Sequence, residues 1–541
     1  MKSSIKLSLN PRHWSAGVVA IAGLSVALFM CPRPAFGLTG EDPAAAAAPT
    51  APVPTSTFAA AYSAESPAAA LPSFANQPQM LNWGPERKRL ADKGFSFDFF
   101  YITDALGDPN NPPGAVKQMN NWNRIRGTVN VDFSKFTSWK GLTLWATGLW
   151  QNGTNMGGVI GSIQNPSGLV SSHQFRLDSI TLTQAFLNNK VSVQFGIFAA
   201  RDFYGLQPYG GDFMMEPLDY DFANMGDVRM SYDPESSPAA NLKITPNKYF
   251  AIQSGFFMPP DDGEEHYYPT GWRPEQGSYG NTWDTAVFYN TFANRPATEK
   301  NYAGQIQVGF VYNGSNAGTC SAAGSKVGSV GCSGFVDYNK SAENLAAATP
   351  VANTGSVYGK STVTTLGGYV FDNGPGSTPL VYTDHNSIIY AMVNQPVYRV
   401  TTGSNRGLDV LFGVNADTET QKAQVPVEYV AGAVFNGPIA CRPHDTLAFG
   451  LAYAQIGNDY NNYEKALYNT QEAAYTAAGG AGGTGVAPTA MTLNGETQIE
   501  LNYNAHIFPW FQVMPVWQHY ANVGGSKNNA DLAGLRLFVD F

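Results

Sequence analysis

The stretch AGLRLFVDF, residues 533–541, alternates strictly between two kinds of side chain. The first kind is apolar and comprises Leu535, Leu537, Val539 and Phe541. The opposite face carries Arg536 and Asp540. A period of two predicts a β-strand with one apolar face. Because the edge of such a strand needs a partner, two architectures are open: a soluble sheet, or a closed barrel in which this strand pairs with the first one.

The composition is unusual for a water-soluble protein of 541 residues. Charged residues make up 13% of the chain, whereas about 25% is usual for soluble globular proteins. Aromatic residues also make up 13%, and there are 56 glycines. The mean hydropathy is only −0.19, so the chain is not hydrophobic overall. These values favour a β-rich protein that faces something other than water.

The N-terminus has the pattern of a secretion signal. Lys2, Lys6 and Arg12 precede an apolar run over residues 16–31, and we predict cleavage after Gly37. Cleavage removes four basic residues and no acidic one, which leaves 28 of the 32 basic residues against 41 acidic residues, a net charge of −13. This acidic balance leaves no basic patch for nucleic-acid binding.

Three cysteines follow the predicted cleavage site. An exported protein meets an oxidising compartment, so we predict a disulfide between Cys320 and Cys332 that closes a short loop. Cys441 would then be an odd thiol in a turn. The sequence contains no CxxC pair, which argues against a zinc or redox site.

The remaining chain divides into a tether and a strand-rich region. Residues 38–80 are dominated by Ala, Pro, Ser and Thr and are predicted to form a disordered tether. A short helix over residues 86–93, ended by Gly94, comes next. From there, short connections mostly alternate with long polar ones, which span residues 106–121, 152–172, 199–237, 259–302 and 459–495. This alternation is typical of an outer-membrane barrel.

When strands are counted from this alternation of short and long connections, the sequence predicts an all-β protein with sixteen antiparallel transmembrane strands. The count includes Ser361–Asp372 as the ninth strand and treats 259–302 as one connection. An even number places both chain ends at the end with short turns. The same parity places residues 314–359, which resemble an insertion, on the periplasmic side.

The second face of the strands is too polar for a dry core. Arg124, Arg126 and Asp132 lie opposite valines, and Glu500 lies opposite Leu501. Sixteen strands leave room for an aqueous channel. A charge facing lipid costs ~2–4 kcal/mol at mid-bilayer, so we predict that Arg124, Arg126 and Arg176 face the lumen.

Three segments resemble the carbohydrate-selective porins of the OprB family. LNWGPERKRLADKGFSFDFFYITDALGD, residues 81–108, is similar to the family's opening helix and first strand. NGPIACRPHDTLAFG, residues 436–450, resembles its Gly/Arg/Asp turn, and residues 496–541 resemble its last three strands, including the Pro-Trp turn. The likeness covers about residues 81–541 and is strongest at both ends.

This resemblance implies a 16-stranded channel in the outer membrane of a Gram-negative bacterium. Such a channel passes mono- and small oligosaccharides into the periplasm by diffusion. The implied partners are small carbohydrates and outer-membrane lipid. We expect a monomer or a homotrimer. No cofactor is expected.

The connection 199–237 is the best candidate for a selective constriction, because it is too long and too aromatic for a simple exposed loop. We expect it to fold inward, with aromatic rings that stack on sugars and with charged groups that bond sugar hydroxyls. The aromatic candidates are Phe203, Tyr204, Tyr209 and Tyr220. The charged candidates are Arg201, Asp202, Asp212, Glu216 and Asp219. In the alternative, the tyrosines pack the loop against the wall and the acids face bulk water.

The sequence gives little support for an enzyme or a metal site. The sequence lacks Gly-x-Ser-x-Gly and His-Glu-x-x-His, and the acidic run DDGEEH, residues 261–266, does not have the spacing of a calcium-binding loop. We therefore predict neither a reaction nor a metal. The alternatives to a sugar porin are a secreted β-rich carbohydrate-binding protein or glycosidase, a barrel enzyme, and a general non-selective porin.

Overall fold

The computed structural model describes most of the chain after residue 84. The described residues are 80, 85–109, 119–170, 174–205, 209–219, 222, 228, 230–231, 236–258, 281–293, 300–314, 335–347, 349–350, 363–366, 369–372, 381–477 and 493–541. The predicted signal segment 1–37, nearly all of the tether 38–80, the run 261–266, Tyr220, Cys320 and Cys332 lie outside them.

Sixteen antiparallel strands form a closed barrel in which every strand pairs with its neighbours in sequence order. The strands are β1 Phe95–Gly107, β2 Met119–Asp132, β3 Leu142–Gly153, β4 Gln174–Phe186, β5 Val191–Phe198, β6 Ser237–Ile244, β7 Phe250–Phe257, β8 Asn281–Thr291, β9 Gly304–Gly314, β10 His385–Arg399, β11 Gly407–Asp417, β12 Val427–Asn436, β13 Thr446–Gln455, β14 Glu496–Phe508, β15 Phe511–Ala521 and β16 Asn529–Asp540. The predicted fold class is confirmed.

The last strand closes the barrel onto the first. β16 pairs with β1 from Phe100 opposite Asp540 to Gly107 opposite Ala533. The outer faces of the strands carry exposed apolar side chains, such as Phe195 on β5, which is 49% exposed. A closed wall has no free edge, so this pairing decides between the two architectures left open above. Within the described residues, no helix combines the length and the apolar character needed to cross a membrane.

The helices lie at the two ends and inside the barrel. They are α1 Pro85–Asp92, α2 Met156–Ile160, α3 Glu216–Asp219, α4 Tyr338–Ala347 and α5 Asn458–Ala477. Short 3-10 turns span Phe133–Lys135, Ala200–Asp202, Gly210–Asp212, Thr420–Lys422 and Val523–Gly525.

The predicted number of strands is right, but two assignments are wrong. Residues 281–291 form barrel strand β8, which pairs with β7 and β9. The predicted strand Ser361–Asp372 is not in the barrel: Val363–Leu366 and Tyr369–Asp372 form a hairpin that Thr349–Pro350 joins in a separate sheet. Strands of four residues are too short to cross a bilayer, which needs about 9–11.

These two errors reverse the predicted side of the segment 314–359. With β8 in place, the segment between β9 and β10 lies at the end that carries the long connections, not at the short-turn end. Its helix α4 packs on α5, which belongs to the connection between β13 and β14, and Thr470 Oγ1 donates to the Leu345 carbonyl at 3.2 Å. Tyr338 and Tyr460 stack edge-on at 4.9 Å between ring centroids. The two segments therefore form one cap at the long-connection end.

Helix α1 docks against the start of β1 at the short-turn end. The Nη2 atom of Arg87, whose side chain is buried, donates to the Phe97 carbonyl at 2.9 Å. Gly94 ends the helical segment as predicted, with φ at 94°, and a Cβ there would lie 2.5 Å from the Asp132 carbonyl oxygen. Only glycine fits this left-handed conformation without strain.

Substituting Gly94 by alanine should therefore destabilise the barrel by about 2 kcal/mol. The midpoint of thermal unfolding, read from heat-modifiable gel migration, measures this effect. Gly158→Ala is the matched control, because a Cβ at Gly158 in helix α2 would have no atom within 4 Å. Equal midpoints for the two variants would contradict the strain at Gly94.

The cysteines differ from expectation in one respect. Cys441 is disulfide-bonded, so the prediction that it is an odd thiol is wrong. The proposed Cys320–Cys332 bridge falls outside the described residues and stays a prediction.

Candidate functional site

The connection between β5 and β6 spans residues 199–236 and is called the inward loop from here on. Its described residues lie inside the barrel. Its apolar side chains are buried in one cluster with residues of the inner barrel wall. The loop contributes Ala200, Phe203, Tyr204, Phe213, Met215, Leu218, Phe222, Val228 and Met230 to this cluster. The wall contributes small or apolar residues of β7 to β13, among them Ala286, Phe288, Val311, Leu411 and Val430. The expectation that the whole interior is wet is therefore wrong, because one side is a packed apolar core.

Two lumen-facing glycines make room for tyrosines in this core. A Cβ at Gly309 would lie 2.1 Å from the Tyr390 ring, and one at Gly255 would lie 2.7 Å from the Tyr204 hydroxyl. The Tyr204 hydroxyl donates to Asn241 Oδ1 at 2.8 Å. The loop is thus seated in the wall by shape as well as by hydrogen bonds.

Glu500 on β14 holds the backbone of the inward loop. Its Oε1 accepts from the Met214 amide at 2.8 Å, and its Oε2 accepts from the Met215 amide at 2.7 Å. The side-chain nitrogens of Asn502 and Gln518 donate to the same two oxygens at 2.7 and 2.8 Å. Four donors satisfy the carboxylate, so Glu500 is an anchor for the loop.

Arg536 on β16 makes a second anchor. Its Nε and Nη2 donate to the two oxygens of Asp104 on β1 at 2.7 and 2.8 Å. Its Nη1 donates to the Phe213 carbonyl at 2.8 Å, and Nη2 also contacts Asp219 Oδ2 at 3.0 Å. One guanidinium therefore joins the first strand, the last strand and the inward loop.

The connection between β3 and β4 also reaches into the barrel. Glu496 accepts from the amides of Ile163 and Gln164 at 3.0 and 2.8 Å. Asn165 Nδ2 donates to Glu216 Oε2 of the inward loop at 2.6 Å. The inward loop is thus supported by a second inward segment, residues 162–170.

The opposite side of the interior is polar. On β2 and β4, Arg126 Nη2 lies 2.8 Å from Asp178 Oδ2, and both side chains are buried. Arg124 Nε donates to Gln151 Oε1 at 2.9 Å. Arg176 is buried on the same inner face.

Short hydroxyl and amide side chains continue this face across β2 to β6. We call this surface the polar wall: Thr128, Asn130, Thr143, Thr147, Ser179, Thr181, Thr183, Ser192, Gln194 and Asn241. Thr128 and Thr147 contact each other through their hydroxyls at 3.2 Å. The interior is therefore divided into an apolar side covered by the loop and a polar side formed by the wall.

The family model described as "Carbohydrate-selective porin, OprB family" matches residues 117–541. The chain belongs to this family. It is therefore an outer-membrane sugar channel, as the resemblance in sequence implied. No curated protein matches the chain.

A solved structure agrees with this porin in fold. The high-pH structure of Pseudomonas putida OprB has a TM-score of 0.65 at 18% identity and covers 85% of this chain and 97% of its own. The low-pH structure of the same protein gives a TM-score of 0.45 at 15% identity, with 86% and 98% covered.

The structure places the predicted lumen residues of this porin as follows. Arg124, Arg126 and Arg176 lie on the inner face, as do Arg201 and Asp202 at the start of the inward loop, all buried. They belong to the polar side of the interior or to its border with the loop.

The aromatic candidates mostly pack. Phe203 and Tyr204 contact Phe198 and Phe257 edge-on, so the alternative in which aromatic rings hold the loop against the wall describes these two. Tyr209 hydrogen-bonds Asp409 near the short-turn end. The burial of Phe203 and Tyr204 is incompatible with direct stacking of these two rings on a solute.

Three acidic candidates have roles other than lining the channel. Asp132 accepts from the Ser134 amide at 3.0 Å and caps a turn at the end of β2. Glu500 and Asp219 are engaged by the anchors described above. The remaining acids of the loop, Asp212 and Glu216, are bound by Thr446 Oγ1 at 3.0 Å and by Asn165, respectively.

Sequence reasoning missed the residues that fix the loop. The alternation at residues 533–541 predicts only that Arg536 lies opposite the apolar face, and no sequence pattern used above identifies Asp104 or Glu496. The signal that could have found them is the rule already used for the arginines: a charge in a transmembrane strand faces inward and needs a partner.

Asp212 should make the loop sensitive to pH. Burial raises the pKa of its carboxyl from 3.8 to about 7, an effect that Thr446 partly opposes. The pKa of Asp212 is higher in the folded state than in the unfolded state, so the folded state is most stable when this carboxyl is protonated. That stability is lost as pH rises from about 4 to about 7.

We expect the midpoint of thermal unfolding to be lower at pH 8 than at pH 5.5, and Asp212→Asn to reduce that difference. Gel migration after graded heating at the two pH values measures it. An unchanged pH dependence in the variant would contradict the assignment to Asp212.

Proposed function

We propose that solutes pass between the inward loop and the polar wall, from the long-connection end outside the cell to the short-turn end in the periplasm. The path admits mono- and small oligosaccharides by diffusion down their gradient, in the outer membrane of a Gram-negative bacterium. The observation that supports this most is the division of the interior: the loop fills the apolar side, so the polar side is left for a hydrophilic solute. Each barrel closes on its own strands, so a monomer and each protomer of a homotrimer would conduct alike.

Neutral sugars are favoured because three buried arginines of the interior are paired with carboxylates. Arg126 is neutralised by Asp178, Arg536 by Asp104, and Arg399 lies 2.6 Å from Asp409. Compensated charges give a weak long-range field, so ions gain little on entry. Hydroxyl and amide groups, by contrast, replace the water around sugar hydroxyls.

In this proposal the arginines order the sugar at the narrow part. Arg124, Arg126, Arg176 and Arg201 supply N–H donors in a rigid arrangement, and Asp178 and Asp202 supply acceptors. A guanidinium that already has a partner keeps further N–H groups, since it has five donors.

Liposome swelling tests the proposed function. Proteoliposomes that contain the purified porin should swell faster in glucose than in sucrose, and much faster in either than in lysine hydrochloride. Equal rates for glucose and lysine would remove the claim of sugar selectivity and leave a general porin. Absence of swelling in glucose would contradict the channel itself.

A further inference from the structure

Lys243 differs from the three paired arginines of the interior. Arg126, Arg399 and Arg536 each have a carboxylate within salt-bridging distance. Among the described residues, no carboxylate contacts Lys243, whose one recorded partner is an aromatic ring: its Nζ lies 5.9 Å from the centre of Phe288.

The register of β6 places Lys243 inside the barrel. Its neighbours Leu242 and Ile244 are exposed on the outer face, and Asn241 bonds the inward loop. Alternation therefore directs Lys243 inward, next to the last residue of β6 at the short-turn end. The side chain is half-buried, so its charge is partly removed from water without a counter-charge.

The groups beside Lys243 are neutral and polar. Ser192 on β5 and Gln253 on β7 are its direct partners in the sheet, and both face inward and are buried. The Gln253 side chain also interacts with the Tyr204 hydroxyl of the inward loop. A cation, an amide and a hydroxyl side by side form a set that suits a carboxylate.

We propose that Lys243 forms, with Ser192 and Gln253, a binding subsite for carboxylated sugars such as aldonates and uronates. The ammonium binds the carboxylate, and the adjoining polar wall, with Gln194 and Thr183, hydrogen-bonds the hydroxyls of the same molecule. The subsite rests on the proposed sugar path and extends its substrates to acidic sugars. Its place at the short-turn end makes it the last contact before release into the periplasm.

The test compares glucose and sodium gluconate. The two solutes have similar size, but glucose is neutral and gluconate is an anion. In proteoliposome uptake of the two labelled solutes, Lys243→Gln should lower the gluconate-to-glucose ratio about fivefold. Lys248→Gln is the matched control, since Lys248 is exposed in the following turn and its loss changes the net charge equally. Lys243→Arg should retain most of the ratio.

A ratio that is unchanged in Lys243→Gln, or lowered equally in Lys248→Gln, would overturn the subsite. Glucose uptake in the same vesicles keeps this result distinct from a failure of the channel. If wild-type vesicles carry glucose and the ratio is insensitive to Lys243, the subsite alone is wrong. If they carry no glucose, the proposed function is wrong. Heat-modifiable migration of each variant reports whether its barrel has folded.

Discussion

Replacing Glu500 by alanine should widen the channel, so that solutes larger than a monosaccharide pass faster. The substitution removes the acceptor for the Met214 and Met215 amides and leaves both buried. Each buried unsatisfied donor costs about 1–3 kcal/mol, so the loop segment from Phe213 to Asp219 should leave its place on β14. We expect liposome swelling in raffinose to rise several-fold relative to glucose.

Glu500→Gln is the control for this experiment. The amide keeps one acceptor oxygen at nearly the same position but presents a donor to the second loop amide, so its effect should be intermediate. If the swelling rate in raffinose relative to glucose is unchanged in Glu500→Ala while the barrel remains folded, the inward loop is held by its apolar core alone, and the anchor role of Glu500 is contradicted.

Replacing Arg536 by methionine should destabilise the barrel more than any other single change considered. Asp104 and Asp219 would lose their counter-charge inside the wall. Removing one partner of a buried ion pair costs about 3–5 kcal/mol. Because Arg536 and Asp104 lie on the two strands that close the barrel, we expect a large loss of heat-resistant, fast-migrating protein on gels.

The double variant Asp104→Asn with Arg536→Met tests the cause. It removes the uncompensated Asp104 charge together with the arginine, so it should recover part of the lost stability. If the stability lost in the double variant equals the sum of the losses in the two single variants, the two side chains are not coupled and the pairing is contradicted.

Much of the fold follows from the sequence because a lipid-facing wall constrains one face of every strand. The alternation at residues 533–541 predicts a strand with Arg536 inside, and the structure places it so. The same rule places Arg124, Arg126 and Arg176 on the inner face. The alternation of side chains, the cost of a charge in lipid and the need to pair strand edges are enough to predict the closed barrel and the inward direction of these arginines.

The sequence does not predict strand β8, and the reason is physical. Its outer face carries Trp283 and Val287, but its inner face carries Ala286 and Phe288, which pack against the inward loop. The apolar–polar contrast that marks a porin strand is therefore weak. Residues 361–372 have the β-branched composition of a strand, but the described parts, Val363–Leu366 and Tyr369–Asp372, are two short paired strands outside the barrel.

The anchors of the inward loop could not be read from the sequence. Glu500 contacts the amides of Met214 and Met215 across a separation of 285 residues or more, and backbone groups leave no trace in composition. The loop's aromatic residues suggested stacking on sugars, whereas Phe203 and Tyr204 serve its packing. Length and composition identified the right segment, but not which of its side chains face the wall.

The central claim is that sugars travel along the polar wall inside the barrel. Cysteine placed at Gln194, which faces inward on β5, should allow a bulky thiol reagent to block glucose uptake by proteoliposomes. Cysteine at the neighbouring Phe195, which faces outward, should leave uptake unchanged, as should treatment of the wild-type porin. Uptake that persists in modified Gln194→Cys, or that is lost only in Phe195→Cys, would contradict the account.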